Sequence, residues 1–229
     1  MGRFESAIKW YIKGGLFHPF YIFLSVLPTI LLLPYKNDPM FNNYLMLYVD
    51  LTIIPLVALM VALHVVREPQ VMVFEINIFR SLRVIYVAKL LVYLMALSIG
   101  FIPLVLLLFI TGKIEVFLIP LMQRILTYVA IVSISLLLNT PKSVLLYLLV
   151  FFFILPYAPP ILLNRARMLE TTLDPVTSIV CYVFAPIASS LYDKILGLPL
   201  RNIQIIASLI SILIIVISYF MHSRKEYQI

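Results

Sequence analysis

Two opposite charges lie inside long apolar runs, where a charge is costly and usually finds a partner. Asp50 falls in the run Tyr44–Val66, and Arg124 falls in the run Val116–Leu138. If these runs are helices, Asp50 lies about 9 Å and Arg124 about 12 Å from their outer ends, at about 1.5 Å per residue. The similar depths predict an ion pair between two helices, or side chains that reach the lipid headgroups, or a polar element on a translocation path.

A second group of charges lies between apolar runs, in the segment Arg67–Lys89. The charged side chains that could contact a soluble partner there are Glu68, Glu75, Arg80 and Arg83. Val71, Phe74 and Ile78 recur at helical spacing among polar residues, which is typical of an amphipathic helix at a membrane surface. The pattern predicts either a helix that presents charge to a partner or a solvated connector without one.

The elements that must position these charges are apolar enough to be surrounded by lipid. Apolar residues make up 63% of the 229 residues, charged residues only 12%, and the mean hydropathy is +1.10. A soluble protein of this size could not cover so much apolar surface. We therefore predict an all-α polytopic membrane protein in which residues 1–229 form one transmembrane domain with six spans of about 20 residues. The predicted spans are Phe17–Tyr35, Tyr44–Val66, Leu90–Ile110, Val116–Leu138, Val144–Leu163 and Ile203–Met221.

Two further segments are predicted to lie at the membrane surfaces. Residues 1–15 form an amphipathic interfacial helix that ends in two glycines. Between the fifth and last spans, residues 164–202 contain an apolar stretch, Val176–Tyr192, which Pro186 interrupts. Its length of about 17 residues favours an external re-entrant helical hairpin, and a seventh span is the alternative.

The basic residues predict the orientation of the chain. With six spans, ten of the 17 Lys and Arg residues fall on the side that holds both termini and the charged segment 67–89, and six fall on the other side. Cytoplasmic loops carry an excess of Lys and Arg. We therefore predict a multi-pass cell-membrane protein with both termini in the cytoplasm. This distribution also accounts for the net charge of +7 without a nucleic-acid partner.

The order of the elements and two short motifs point to a family. In the charged segment 67–89, Glu75 is followed by Arg83, Ile85 and Lys89 at the start of the third span, and Leu173–Thr177 reads Leu-Asp-Pro-Val-Thr after the fifth. The chain thereby resembles a permease subunit of the ABC-2 type, the membrane half of an ATP-driven exporter. In that family an acidic residue precedes an arginine, an isoleucine and a lysine in the coupling region, which contacts the ATPase, and a Leu-Asn-Pro-Leu-Thr type motif follows the fifth span. The resemblance implies that residues 67–89 are the coupling region of this chain.

The resemblance implies partners that the chain itself does not supply. The sequence has no G-x-x-x-x-G-K-[ST] loop, so we expect ATP and Mg²⁺ to be bound by a separate P-loop ATPase subunit and no cofactor by this chain. A second permease chain, identical or related, would complete the translocation pathway within the membrane lipid.

The residues also bear on other classes of function. We find no constellation of residues for catalysis, and the single cysteine, Cys181, excludes a disulfide or a thiolate metal cluster within the chain. We expect the chain not to be an enzyme. The alternative function is a structural or accessory subunit of another membrane complex, without transport activity of its own.

Overall fold

The structure is a computed structural model that describes residues 2–16, 18–66 and 69–224. These residues form helices connected by short turns, and no strand occurs among them. Five helices of 22 to 29 residues are apolar and long enough to cross the roughly 30 Å hydrocarbon core of a bilayer. They are Phe41–Val65, Leu82–Ile110, Ile114–Ser135, Pro141–Met168 and Leu200–Ser223. The predicted class, an all-helical chain with several membrane-length apolar helices, is confirmed.

The first predicted span coincides with a shorter helix than these five. Two elements precede this span, namely α1, Arg3–Tyr11, and a π-helical turn, Ile12–Leu16. The span itself contains α2, Pro19–Leu32, and a 3₁₀ turn, Leu33–Tyr35. The helical segments 3–14 and 19–35 are bent by 75° relative to each other. They are long and apolar enough to cross a membrane only when they are counted as one broken span. Phe17, where this span was expected to begin, lies outside the described residues. A total of six spans therefore stays a prediction.

The second span changes its winding beside Asp50. Its parts are α3, Phe41–Met46, a π-helical turn, Leu47–Leu51, and α4, Ile53–Val65. Pro55 has no N–H to donate to the carbonyl of Leu51, and Thr52, with φ −126° and ψ −86°, interrupts the helix. Asp50 lies in the wider turn and is fully buried.

The segment expected to contact a partner is divided into two helices. They are α5, Pro69–Phe79, and α6, Leu82–Ile110. Arg80 ends α5 with a φ of +51°, in the left-handed region, and the hydroxyl of Ser81 accepts a 3.4 Å hydrogen bond from the N–H of Val84. The third span therefore does not begin at Leu90 as predicted, and Lys89 lies inside it.

Prolines change the helix type within the fifth span without ending it. The fourth and fifth spans comprise α7, Ile114–Ser135, α8, Pro141–Leu149, a π-helical turn, Val150–Ile154, a 3₁₀ turn, Leu155–Tyr157, and α9, Ala158–Met168. Pro156, Pro159 and Pro160 lie in or just after the tighter turn. Because a proline lacks the N–H of an α-helical hydrogen bond, such changes of winding are expected there.

The segment between the fifth and last spans contains a broken helix. The elements are α10, Pro175–Phe184, α11, Pro186–Leu191, a 3₁₀ turn, Asp193–Ile195, and α12, Leu200–Ser223. Ala185, with φ −146° and ψ +72°, separates α10 from α11. The N–H of Leu173 donates to the carbonyl of Ile195 at 2.9 Å, and Gly197 packs directly against the carbonyl of Leu173. The two ends of the broken helix are thus held side by side. Its position on the outer side of a membrane stays a prediction.

The alternating direction of the helices gives the bundle two ends. The α5 end holds α1, α5, the start of α8 and the end of α12, and the α10 end holds the turns between α2 and α3 and between α6 and α7.

Two charged residues at the α10 end have shifted pKa values. Lys113 donates a hydrogen bond to Asn42 at 3.0 Å, and partial burial lowers the pKa of Lys113. Hydrogen bonds from the side chain and the backbone N–H of Thr177 lower the pKa of Asp174 at the start of α10.

Candidate functional site

Buried side chains of the second and fourth spans bind the backbone at the break between α10 and α11. A helix end leaves carbonyls without partners, and a helix start leaves N–H groups without partners. Nη1 of Arg124 donates to the carbonyl of Phe184 at 2.6 Å, and Oδ2 of Asp50 accepts from the N–H of Ala188 at 2.9 Å. A cation thus lies at the C-terminus of α10 and an anion at the N-terminus of α11, as the helix dipoles favour.

Asp50 and Arg124 also contact each other. Nε of Arg124 lies 3.7 Å from Oδ1 of Asp50, and both side chains are 0% exposed. Nη2 of Arg124 donates to the carbonyl of Asp50 at 2.7 Å, and its guanidinium carbon lies 4.4 Å from the ring centroid of Tyr128. The structure therefore brings the two predicted residues together between helices, in contact with protein groups.

A polar network on α7 and α12 adjoins this pair. Gln123 donates to the hydroxyls of Thr127 and Ser211, each at 3.2 Å, and its carbonyl oxygen accepts from Ser208 at 2.9 Å. Thr127 in turn donates to the carbonyl of Val183 at 3.0 Å, beside the break after α10. Sequence reasoning missed these residues, although Gln123 and Thr127 lie one helical turn apart in an apolar run, which was an available signal.

The cluster around Asp50 and Arg124 is suited to positioning helices. Asp50 of the second span and Arg124 and Gln123 of α7 bind backbone groups of α10 and α11 and a side chain of α12, so five helical segments are held in one arrangement. In a low-dielectric interior, a polar group that loses its hydrogen-bond partner lowers the stability of the protein. In residues 2–16, 18–66 and 69–224, no group of three or more His, Cys, Asp or Glu could hold a metal ion.

A second buried ion pair joins the helices at the α5 end. Oε2 of Glu75 lies 2.7 Å from Nζ of Lys89, and the two side chains are 0% and 1% exposed. Nζ of Lys89 also lies 5.5 Å from the ring centroid of Tyr11, so α1, α5 and α6 meet here. The expectation that Glu75 presents its charge outward is wrong, because pairing with Lys89 directs the carboxylate into the bundle.

The other residues expected in the coupling region lie apart from this pair. Arg80 and Arg83 are exposed, and Glu68 lies outside the described residues. One turn apart on α5, Phe74 and Ile78 are 55% and 44% exposed and form an exposed apolar ridge. The sequence analysis assigned Phe74 and Ile78 to the apolar face of an amphipathic helix at a membrane surface, and the structure leaves both side chains exposed.

An apolar groove lies beside α5, between α4 and α8. It has a volume of about 490 Å³, and the residues that line it include Leu63, His64, Val71, Val144 and Leu145. This volume lies within the range of about 300–1,000 Å³ that is usual for ligand pockets.

These observations assign the chain to a structural class but not to a protein family. In the part of the chain that the structure describes, the fold is all-helical, with five membrane-length apolar helices and a short helix, α5, fixed at one end of the bundle. Comparisons with models of protein families, with curated proteins and with solved structures find no match. Its function is therefore inferred from its own residues and their contacts.

Proposed function

We propose that this chain is the permease subunit of an ATP-driven exporter of the ABC-2 type. It would form half of a translocation pathway and take its energy from a separate P-loop ATPase subunit that binds ATP and Mg²⁺. The observation that carries the proposal is the anchoring of α5, which lies between two membrane-length helices and is joined to α6 by the buried pair of Glu75 and Lys89.

The anchoring gives α5 the mechanical property that a coupling helix needs. Separating a buried ion pair costs about 3–5 kcal/mol, so α5 and the start of α6 move together when a partner presses on α5. α6 has 29 residues, and a helix of that length spans about 43 Å. A displacement of α5 is thereby transmitted across the whole membrane as a rigid-body tilt.

The surface available to the ATPase subunit is the outer side of α5. Phe74 and Ile78 form its apolar centre, and Arg80 and Arg83 supply exposed positive charge at its end. Exposed aromatic and arginine side chains are the residue types that contribute most to protein interfaces. The proposed ATPase contact therefore no longer includes Glu75, which the sequence analysis had included, but it keeps Arg80 and Arg83.

The distribution of charge supports a cytoplasmic position for α5. In the described residues, the α5 end exposes seven basic side chains and one carboxylate, Glu5, whereas the α10 end has six basic and five acidic residues. By the positive-inside rule, the α5 end and both termini face the cytoplasm of a cell membrane. A second permease chain would complete the pathway, and the groove beside α5 offers an apolar volume on this side.

The test is a purified complex with a P-loop ATPase. The tagged chain is isolated from its native membrane, the co-purified P-loop subunit is expressed separately, and its affinity for the reconstituted chain is measured. We expect Phe74→Ala to weaken binding at least about tenfold, as for a central interface aromatic, and to lower ATP hydrolysis that depends on the chain. The matched control is Phe109→Ala, because Phe109 is 72% exposed at the opposite end of α6. Equal affinities of the two variants would exclude α5 as the ATPase contact.

One observation favours an accessory subunit as the second candidate. Asp50 and Arg124 contact protein groups and do not line an open path. A chain whose charges only position its own helices needs no transport cycle. The same purification distinguishes the candidates, because an accessory subunit would co-purify with a membrane complex that contains no P-loop ATPase.

A further inference from the structure

One surface at the α5 end combines exposed aromatic rings with positive charge. α1 meets the segment 19–35 at 75° and packs Ala7 and Tyr11 inward. The basic ledge, as we name it, consists of the basic and aromatic side chains that α1 and the following turn expose. They are Arg3, Phe4, Lys9, Trp10 and Lys13.

The basic ledge continues onto the neighbouring helices. The ring centroid of Trp10 lies 6.4 Å from those of Phe74 and Phe79, and Arg80 follows Phe79 directly. In the part of the chain that the structure describes, the only exposed carboxylate at this end is Glu5, which pairs with Lys9 at 2.9 Å. Side chains of the described residues therefore compensate only part of the positive charge of the ledge.

We propose that the basic ledge binds the headgroups of anionic phospholipids. Phe4 and Trp10 would enter the boundary between headgroups and acyl chains, where aromatic side chains are enriched. Arg3, Lys9 and Lys13 would lie at the level of the phosphates. A helix with charge on one side and aromatic rings beside it binds membranes through both apolar burial and attraction to anionic lipid.

The orientation of α1 favours lipid over an acidic protein as the partner. α1 is nearly perpendicular to the helix that follows it, so its axis runs along the membrane surface if that helix enters the bilayer. The ridge of Phe74 and Ile78, by contrast, belongs to α5 and has no basic residue within that helix. Trp10 of α1 contacts Phe74 of α5, so the proposed lipid contact and the proposed ATPase contact adjoin, and variants of the basic residues of α1 test the first without changing α5.

Trp10 makes the proposal directly testable, because it is the only tryptophan of the chain. The full chain is reconstituted in vesicles of phosphatidylcholine with a fixed fraction of phosphatidylglycerol, and either one or the other lipid carries brominated acyl chains. Bromine quenches tryptophan fluorescence only on contact. We expect brominated phosphatidylglycerol to quench Trp10 more than its share of the lipid predicts.

Salt and charge variants separate electrostatic selection from simple insertion. Raising the salt from 0.01 M to 1 M shortens the screening length from about 30 Å to about 3 Å, so the excess quenching should disappear. One basic side chain strengthens attraction to an anionic surface about fivefold. The triple variant Arg3→Gln, Lys9→Gln, Lys13→Gln should therefore lose most of the excess, while neutralising Arg165 and Arg167 at the α10 end should not change it.

Three results would overturn the proposal. Quenching in proportion to lipid composition would show that Trp10 meets lipid without selecting its charge. An absence of quenching by either brominated lipid would place Trp10 in water or against a protein, as expected if an acidic protein covers the ledge. Excess quenching that persists in 1 M salt and in the triple variant would mean that the charges of the ledge do not select the lipid.

Discussion

Replacing either Asp50 or Arg124 with alanine should destabilise the protein more than replacing both. The Asp50→Ala variant leaves the buried guanidinium of Arg124 with backbone carbonyls but no counter-charge. The Arg124→Ala variant leaves a buried carboxylate with the N–H of Ala188, and it also removes the donor to Phe184. Each single change leaves an unpaired charge in a site with 0% exposure.

The size of the effect follows from what each variant leaves unpaired. Removing one member of a buried ion pair costs about 3–5 kcal/mol. The double variant has no charge left, and it loses the bonds to three backbone groups, the carbonyls of residues 50 and 184 and the N–H of residue 188. At about 0.6 kcal/mol for each hydrogen bond within a membrane protein, these losses total about 2 kcal/mol. The sum of the two single losses exceeds the loss of the double variant by at least about 4 kcal/mol, which is the expected coupling free energy.

The assay is a double-mutant cycle on the free energy of unfolding. The four proteins are titrated with a denaturing detergent in mixed micelles, and unfolding is followed by circular dichroism. The matched control is a second cycle on Glu5 and Lys9, whose N–O distance of 2.9 Å is shorter than the 3.7 Å of the buried pair, but whose side chains are 55% and 54% exposed. An exposed pair of this spacing in a helix couples by only about 0.3–0.5 kcal/mol.

Two outcomes would refute this reasoning. Additive losses from Asp50→Ala and Arg124→Ala would show that the two side chains do not depend on each other. A coupling free energy no larger than that of Glu5 and Lys9 would show that burial adds nothing to the interaction.

Three other predictions concern separate parts of the fold. Glu75→Gln should lower the free energy of unfolding by about 3 kcal/mol, because Lys89 keeps its charge in a buried position; the detergent titration measures it. Gly197→Ala should lower the melting temperature by about 5 °C, because a methyl group would overlap the carbonyl against which Gly197 packs. In a background without the native cysteine, Lys194→Cys and Ser223→Cys should react with an impermeant thiol reagent from opposite sides of the membrane, because α12 lies between them.

Each of these predictions has its own control. Glu5→Gln removes a carboxylate from an exposed pair, so it should change stability little, and an equal loss for Glu75→Gln would contradict a role for burial. A Cβ atom at Gly2 would have no neighbour within 4 Å, and Gly2→Ala should leave the melting temperature unchanged. Labelling of positions 194 and 223 from the same side would mean that Leu200–Ser223 does not cross the membrane.

The sequence predicts the apolar helices well and their ends less well. A run of about 20 apolar residues has to be helical in lipid, because its backbone polar groups find no other partners. The predicted third span begins at Leu90, directly after the charged residue Lys89. In the structure the span starts at Leu82, because Glu75 neutralises Lys89 and allows it to be buried. The local sequence around Lys89 does not show that its partner, Glu75, lies on another helix.

The candidate site was predictable only where it depends on residue type. Asp50 and Arg124 stand out because a charge in an apolar run requires a partner. Their other partners, the carbonyl of Phe184 and the N–H of Ala188, are backbone groups that no residue type reveals. Pro186 indicated that a helix breaks nearby, but the sequence does not tell which side chains bind the freed backbone.

The broken helix also has a consequence for the order in which the protein is made. Arg124 and the carbonyl of Phe184 are separated by 60 residues along the chain. At about 5–20 residues per second, the ribosome needs roughly 3–12 s to bridge that interval. An arginine within a spanning helix costs about 2.5–3.5 kcal/mol on insertion, and during these seconds Asp50, synthesised earlier, is the partner available to it. We therefore expect Asp50 to serve first as the counter-ion that lets the fourth span enter the membrane. Only later would it accept the hydrogen bond from the backbone of the broken helix.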